Sequence, residues 1–113
     1  MTRVYELPWP PCVNSFKFRR FVPKAFRESV RVEVWGRSYG EPLTGRLTCL
    51  IEAHPPTRRR RDLDNIAKAP LDALVEAGAF LDDSQIDDLR IVRREHGRPG
   101  KLVVTIREMS DGH

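Results

Sequence analysis

Four arginines in a row, Arg58, Arg59, Arg60 and Arg61, run directly into D-L-D-N, which sets Asp62 and Asp64 one residue apart and ahead of Lys68. A second acidic cluster, L-D-D-S-Q-I-D-D at residues 81–88, carries Asp82, Asp83, Asp87 and Asp88. A surface built only for solubility mixes its charges and has no need of such blocks. If Asp62, Asp64 and one aspartate of the second cluster converge, they form a hard, oxygen-rich site suited to Mg2+ or Mn2+. Carboxylates brought that close repel one another unless a cation lies between them. On a phosphate-binding surface, the chemistry of such a site is phosphodiester hydrolysis: a polarised phosphoryl oxygen, an acidified attacking water and a stabilised leaving oxygen. Lys68 then supplies a fixed positive charge against the anionic transition state, or orients the water.

Each of these residues also has a plainer role. Asp62 falls where a helix is expected to begin and is a natural N-cap for it. Asp64 in the first turn suits the helix dipole and can pair with Lys68 four residues on. An acidic loop or an arginine run is commonly just solvated. Spacing alone leaves these alternatives open. The acidic segments are not calcium loops, because neither supplies the glycine and terminal glutamate of an EF-hand. His54 and His96 lack ligand spacing and His113 is terminal, so no zinc site is expected. Cys12 and Cys49 read as free thiols packed as small apolar groups.

The distribution of charge supports the chemical reading. Residues 1–61 carry 13 basic and 5 acidic side chains, net +8, residues 62–88 are net −7, and residues 89–113 are net +3. A concentrated carboxylate block inside an otherwise basic chain suggests a local site on a surface that attracts polyanions. Sixteen of the 20 cations are arginine, whose planar fork grips phosphate bidentately. Nucleic acid is therefore the first partner to consider, with Arg58, Arg59, Arg60 and Arg61 holding the backbone and Arg61 foremost. Lys17, Arg19, Arg20 and Lys24 are further backbone contacts. Phe16 and Phe18, interleaved with them, stack on bases or pack in the core.

The elements that must position these residues are legible in outline. At 113 residues the chain fits one domain, residues 1–113, with S-D-G-H at 110–113 expected to fray. No apolar run reaches the roughly 20 residues of a membrane span and the N-terminus lacks a signal-peptide core, so a cytoplasmic protein without a membrane partner is expected. R-V-Y-E-L opens as a short strand, broken by Pro8, Pro10 and Pro11. The spacing of Phe26, Val30 and Val34 predicts a helix from Pro23 to Trp35 ending at Gly36, although Val30, Val32 and Val34 also alternate as a strand would. Residues 46–54 place Leu47, Cys49, Ile51 and Ala53 on one face of a central strand.

Residues 63–77 form the clearest helix, with Leu63, Ile66, Ala67, Pro70, Leu71 and Leu74 on one side, Gly78 as its stop and a kink expected near Pro70. Asp64 and Lys68 border that apolar face, along the seam between helix and sheet. L-R-I-V-R-R-E and K-L-V-V-T-I-R-E read as a hairpin around G-R-P-G. Trp9 and Trp35 are expected in the core or at an interface. The order β-α-β-α-β-β predicts a two-layer α+β domain, two helices against a mixed four-stranded sheet.

R-R-D-L-D-N-I-A-K-A-P-L-D-A-L followed by G-A-F-L-D-D-S-Q-I-D-D-L-R-I resembles the core of the RusA Holliday junction resolvases, and L-P-W-P-P-C-V-N is similar to that family's L-P-x-P-P-S-x-N opening. The resemblance spans residues 5 to about 108. It implies a homodimer that binds four-way DNA junctions by shape and nicks two opposing strands using Mg2+, for which Mn2+ can substitute. Carried over residue by residue, it places the essential carboxylates at Asp62, Asp64 and Asp83 and the essential lysine at Lys68. Cys12 stands where the family usually has serine, and the segment from Asn14 to Arg31 is shorter than usual. The rival reading from another class is a non-catalytic DNA-binding module, whose carboxylates only cap a helix and balance arginines.

Overall fold

A computed structural model describes residues 1–11, 22–59 and 63–109, and within these the side chains of Asp64 and Asn65 are not described. The chain folds as β1 (Thr2–Pro8), α1 (Lys24–Arg37), β2 (Leu47–His54), a 3-10 turn (Leu63–Ile66), α2 (Lys68–Ala77), a second 3-10 turn (Asp83–Gln85), β3 (Ile86–Arg93) and β4 (Lys101–Glu108). The four strands form one mixed sheet in the order β1-β4-β2-β3, and both helices contribute to the core that covers one of its faces. This is the expected two-layer α+β arrangement.

Alternation decides which face is covered. Tyr5 and Leu7 of β1, Leu47, Cys49, Ile51 and Ala53 of β2, and Leu102, Val104 and Ile106 of β4 are all buried on one side. Phe26, Val30 and Val34 of α1, each four residues from the next, pack onto that side with Leu71 and Leu74 of α2. Val32 is 72% exposed, so the helical period of this segment prevails over its alternation. Gly36 lies within α1, and the helix ends on Ser38, in the left-handed region at φ 55°.

The predicted hairpin does not form. β3 pairs in parallel with β2, while β4 lies antiparallel between β1 and β2. Strand composition explains the choice. β4 buries three side chains on the helix side and half-buries Val103 and Thr105 on the other, which suits a central strand. β3 exposes Asp87, Asp88, Arg90 and Arg93, and a charged strand belongs at an edge, where it discourages further pairing. After β3 the chain bonds past the end of β2, through Arg94 N–H to the Ala53 carbonyl and Gly97 N–H to the Pro55 carbonyl.

The kink expected near Pro70 takes the form of a break. The Leu63–Ile66 segment is a separate 3-10 turn, and α2 starts at Lys68 with Ala67 as N-cap. Pro70 is then the third helical residue, where its missing N–H leaves no intrahelical bond unmade. The cost expected for a proline inside a longer helix disappears. Neither Asp62 nor Asp64 is the cap of α2, whose N-cap Ala67 makes no side-chain cap bond. Gly78 closes the helix at φ +92°, a conformation that favours glycine, and its N–H reaches the carbonyls of Leu74 and Val75.

Trp35 is not a core residue. It lies one step off the buried stripe of α1 and is 67% exposed, its indole N–H donating to the Ala77 carbonyl and the Arg31 guanidinium lying over its ring. Trp9 packs against the core as a partly buried residue. Cys49 is a free, buried thiol, and burial pushes its pKa up to about 12. Among the described residues no helix is long and apolar enough to cross a membrane.

Candidate active site

The break before α2 puts Lys68 on the first turn of that helix, exposed above the core that Ala69, Pro70 and Leu71 enter. Its ammonium nitrogen lies 3.2 Å from Asp72 Oδ1, one turn further on, and 4.0 Å from Asp83 Oδ2, on the 3-10 turn beyond the far end of α2. The loop after the helix therefore returns to the helix's N-terminal end. The hydrogen bond to Asp72, its charge and the fields of Asp83 and Asp82 raise the Lys68 pKa. Lys68 is a cation at neutral pH and has no lone pair with which to act as a base.

The two adjacent aspartates of the loop have different tasks. Asp82 is the N-cap of the Asp83–Gln85 turn: its Oδ2 accepts from Ser84 N–H at 3.0 Å, and its extended backbone suits the position. Hydrogen bonding from the Ser84 side chain, then from its N–H, aided by the Lys68 charge, lowers the Asp82 pKa. The Asp83 carboxylate points instead at Lys68. Of the pair, Asp83 is the one whose oxygens are not spent on the turn.

The turn is built into a neighbouring loop. Arg46 donates to the Ser84 carbonyl at 2.8 Å and clamps Asp87 through both its Nε and its terminal nitrogen, which lowers the Asp87 pKa. Gly45 N–H donates to Glu108 Oε2 at 2.9 Å, and a Cβ at Gly45 would meet that same oxygen at 3.0 Å, so a side chain here would displace the anchor. Leu43 N–H donates to the Ala79 carbonyl. Gln85 joins the two loops through hydrogen bonds to the main chain of both. Its D-x-x-Q spacing from Asp82 is a capping-box signal that the carboxylates of the segment overshadow in the sequence.

Of the residues predicted for the site, Lys68 and Asp83 are brought together. Asp62 and the side chain of Asp64 lie outside the described residues, as do Lys17, Arg19, Arg20, Arg60, Arg61, Phe16, Phe18 and Cys12. The 3-10 turn that carries Asp64 ends one residue before α2 and lies against β3. Among the described residues, no three Asp, Glu, His or Cys side chains stand together as ligands. Arg58 and Arg59 are exposed, with Arg58 Nε 3.4 Å from His96 Nε2. Lys24 is also exposed and pairs loosely with Glu28.

Residues 20–107 match the family model described as Endodeoxyribonuclease RusA. Over 112 residues, 93% of each chain, the protein is 39% identical to the crossover junction endodeoxyribonuclease of Enterobacteria phage 82 and equally to that of Escherichia coli strain K12. The Shigella sonnei protein of the same name is 38% identical over the same span. The chain belongs to the RusA endodeoxyribonuclease family.

Within this RusA chain the donor chemistry fits a hard divalent cation. Asp83 presents an oxygen beside the Lys68 turn of α2, and D-L-D-N, which holds Asp62 and Asp64, precedes that helix in sequence. The buried thiol of Cys49, on the core face of β2, is the only cysteine among the described residues and offers no soft ligand to this region.

Proposed function

We propose that this RusA-family chain is a Mg2+-dependent, structure-selective endodeoxyribonuclease that resolves four-way DNA junctions by paired symmetric nicks, acting as a cytosolic homodimer. The observation that carries the reading is the meeting of Lys68 and Asp83, two groups separated by the whole of α2, with D-L-D-N shortly before Lys68 in the sequence. The names of the phage and bacterial relatives support the substrate class.

Asp62, Asp64 and Asp83 hold the cation, with Mn2+ able to take its place. When bound, it would supply Lewis-acid chemistry at the phosphoryl oxygen and would lower the pKa of an attacking water. Lys68 keeps its proton and sets a fixed positive charge against the oxygens on which negative charge grows, so its effect is largest at the transition state. Asp72, closer to Lys68 than Asp83 is, retains the ammonium at the helix start when phosphate draws near. Arg58, Arg59, Arg60 and Arg61 bind the backbone of the strand to be cut, and Lys17, Arg19, Arg20 and Lys24 hold the arms of the junction. Two copies of the site serve two cuts.

The test is an incubation of the protein with a synthetic four-way junction and with linear duplex of the same sequence, with and without Mg2+. Cleavage of the junction alone, dependent on Mg2+, is expected. Salt-sensitive binding without any cleavage at permissive salt defeats the nuclease reading and leaves a DNA-binding module.

A further inference from the structure

Gln85 is a polar side chain only 8% exposed, and its amide is fully used. The amide oxygen accepts from the N–H groups of Leu81 and Asp82, each at 2.8 Å. The amide nitrogen donates to the carbonyls of Leu43 at 3.0 Å and Gly45 at 2.9 Å. Two donors and two acceptor sites, the whole capacity of a primary amide, are thus committed to the main chain of two loops.

Of its N3 side chain a capping box requires only one bond, back to the N-cap N–H, the N-cap side chain supplying the reciprocal one. Gln85 makes that bond to Asp82 and adds three more, two of which reach across to the 43–45 segment. That segment is itself fixed to α2's C-terminal side through Ala79 and to β4 through Glu108. Arg46 grips the same turn at Ser84. Asp83 sits two residues from Gln85 on a turn held from both sides, and its carboxylate emerges facing Lys68.

We propose that Gln85 is the positioning residue of the site: its side chain ties the 81–85 turn to the 43–45 loop and so sets the Asp83 carboxylate where it meets Lys68 and the cation. The proposal rests on the nuclease reading for the purpose of Asp83, and on the hydrogen bonds alone for its placement. Removing the amide leaves two N–H groups and two carbonyls to find new partners, and the turn that carries Asp83 loses its tie to the loop opposite.

Two variants test this in the full chain. Gln85→Met keeps the length of the side chain and removes all four bonds. Gln85→Glu keeps the acceptor and loses the amide donors. Three readings are compared with wild type: Mn2+ binding by the DNA-free protein, hydrogen exchange at the Leu81 and Asp82 amides, and single-turnover cleavage of a four-way junction. In Gln85→Met, exchange at both amides should accelerate and Mn2+ affinity should fall by about tenfold or more, as for other residues that orient metal ligands. The cleavage rate should fall similarly while junction affinity stays within about threefold of wild type, with Gln85→Glu intermediate. A folded Gln85→Met that binds Mn2+ as wild type does overturns the proposal, as does a wild-type chain that binds no Mn2+. If Gln85→Met does not fold, Gln85→Glu makes the same comparison, and unchanged Mn2+ affinity in it is equally fatal. Loss of Mn2+ binding in the variants, with no junction cleavage by any of the proteins, overturns the nuclease reading while the positioning role stands.

Discussion

The ammonium of Lys68 stands 4.0 Å from a carboxylate oxygen of Asp83, across the full length of α2 in sequence and at one end of it in space. Both side chains stay open to solvent, at 69% and 46%, so the pair contributes little to stability. On the proposed reading, the role of this contact lies in what the two groups do together at the phosphate and not in stability.

Replacing Lys68 separates its charge from its fold. Lys68→Ala should leave the thermal midpoint nearly unchanged and Mn2+ binding intact, while single-turnover cleavage slows by about 100-fold or more. An unchanged rate would remove the lysine from the mechanism.

The adjacent aspartates should part company on mutation. Asp83→Asn and Asp64→Asn each remove one proposed ligand and one charge that repels DNA, so junction binding should hold or tighten while cleavage is lost. Asp82→Asn, which keeps an oxygen that can cap the turn, should leave both stability and cleavage largely in place. Equal loss of cleavage in the Asp82 and Asp83 variants, each measured with folded protein, would contradict the division of roles.

How much of this was legible in the sequence depends on whether a feature is local. The stripe of Phe26, Val30 and Val34, the alternation of Leu47, Cys49, Ile51 and Ala53, and the two-layer class follow from side-chain period alone. The pairing of β3 does not, because a glycine turn suggests a hairpin but the choice of partner depends on how charged each strand is relative to the others. Pro70 looks interior in the sequence because the Leu63–Ile66 turn shares the helix's apolar face; only backbone geometry separates the two. At the site, residue types gave the chemistry, and a family resemblance picked Asp83. Gln85 does not stand out there, since an uncharged side chain whose partners are main-chain atoms leaves no charge pattern.

Stability should fall in mild alkali. Burial raises the Cys49 thiol from 9.0 to about 12 and also raises Tyr5 above 10.0. The folded chain keeps protons that the unfolded chain releases, so the contribution of these groups is complete below pH 9.0 and is lost as pH climbs towards 12. Denaturant midpoints measured from about pH 8.5 to about pH 10.5 should decline, and Cys49→Val should flatten the curve. A variant with the wild-type slope would show that the thiol is not responsible.

Core truncation gives a reference for effects that bypass the site. Leu74 is fully buried between α2 and the sheet, and Leu74→Ala should cost about 2–5 kcal/mol in denaturant unfolding. A cost below 1 kcal/mol, on the order of a surface substitution, would place the helix elsewhere.

Arginine contacts should show in salt dependence. Arg61→Ala should weaken junction binding and reduce the slope of log affinity against log salt by about 1. A fixed slope would take Arg61 off the phosphate backbone.

The most direct measurement of the central claim maps the cut sites on a four-way junction whose strands carry different labels, during a single binding event with Mg2+. Two nicks at symmetry-related positions of opposing strands, both absent for Asp83→Asn, are the expected result. Unpaired nicks, or paired nicks that persist in the folded Asp83→Asn protein, would contradict it.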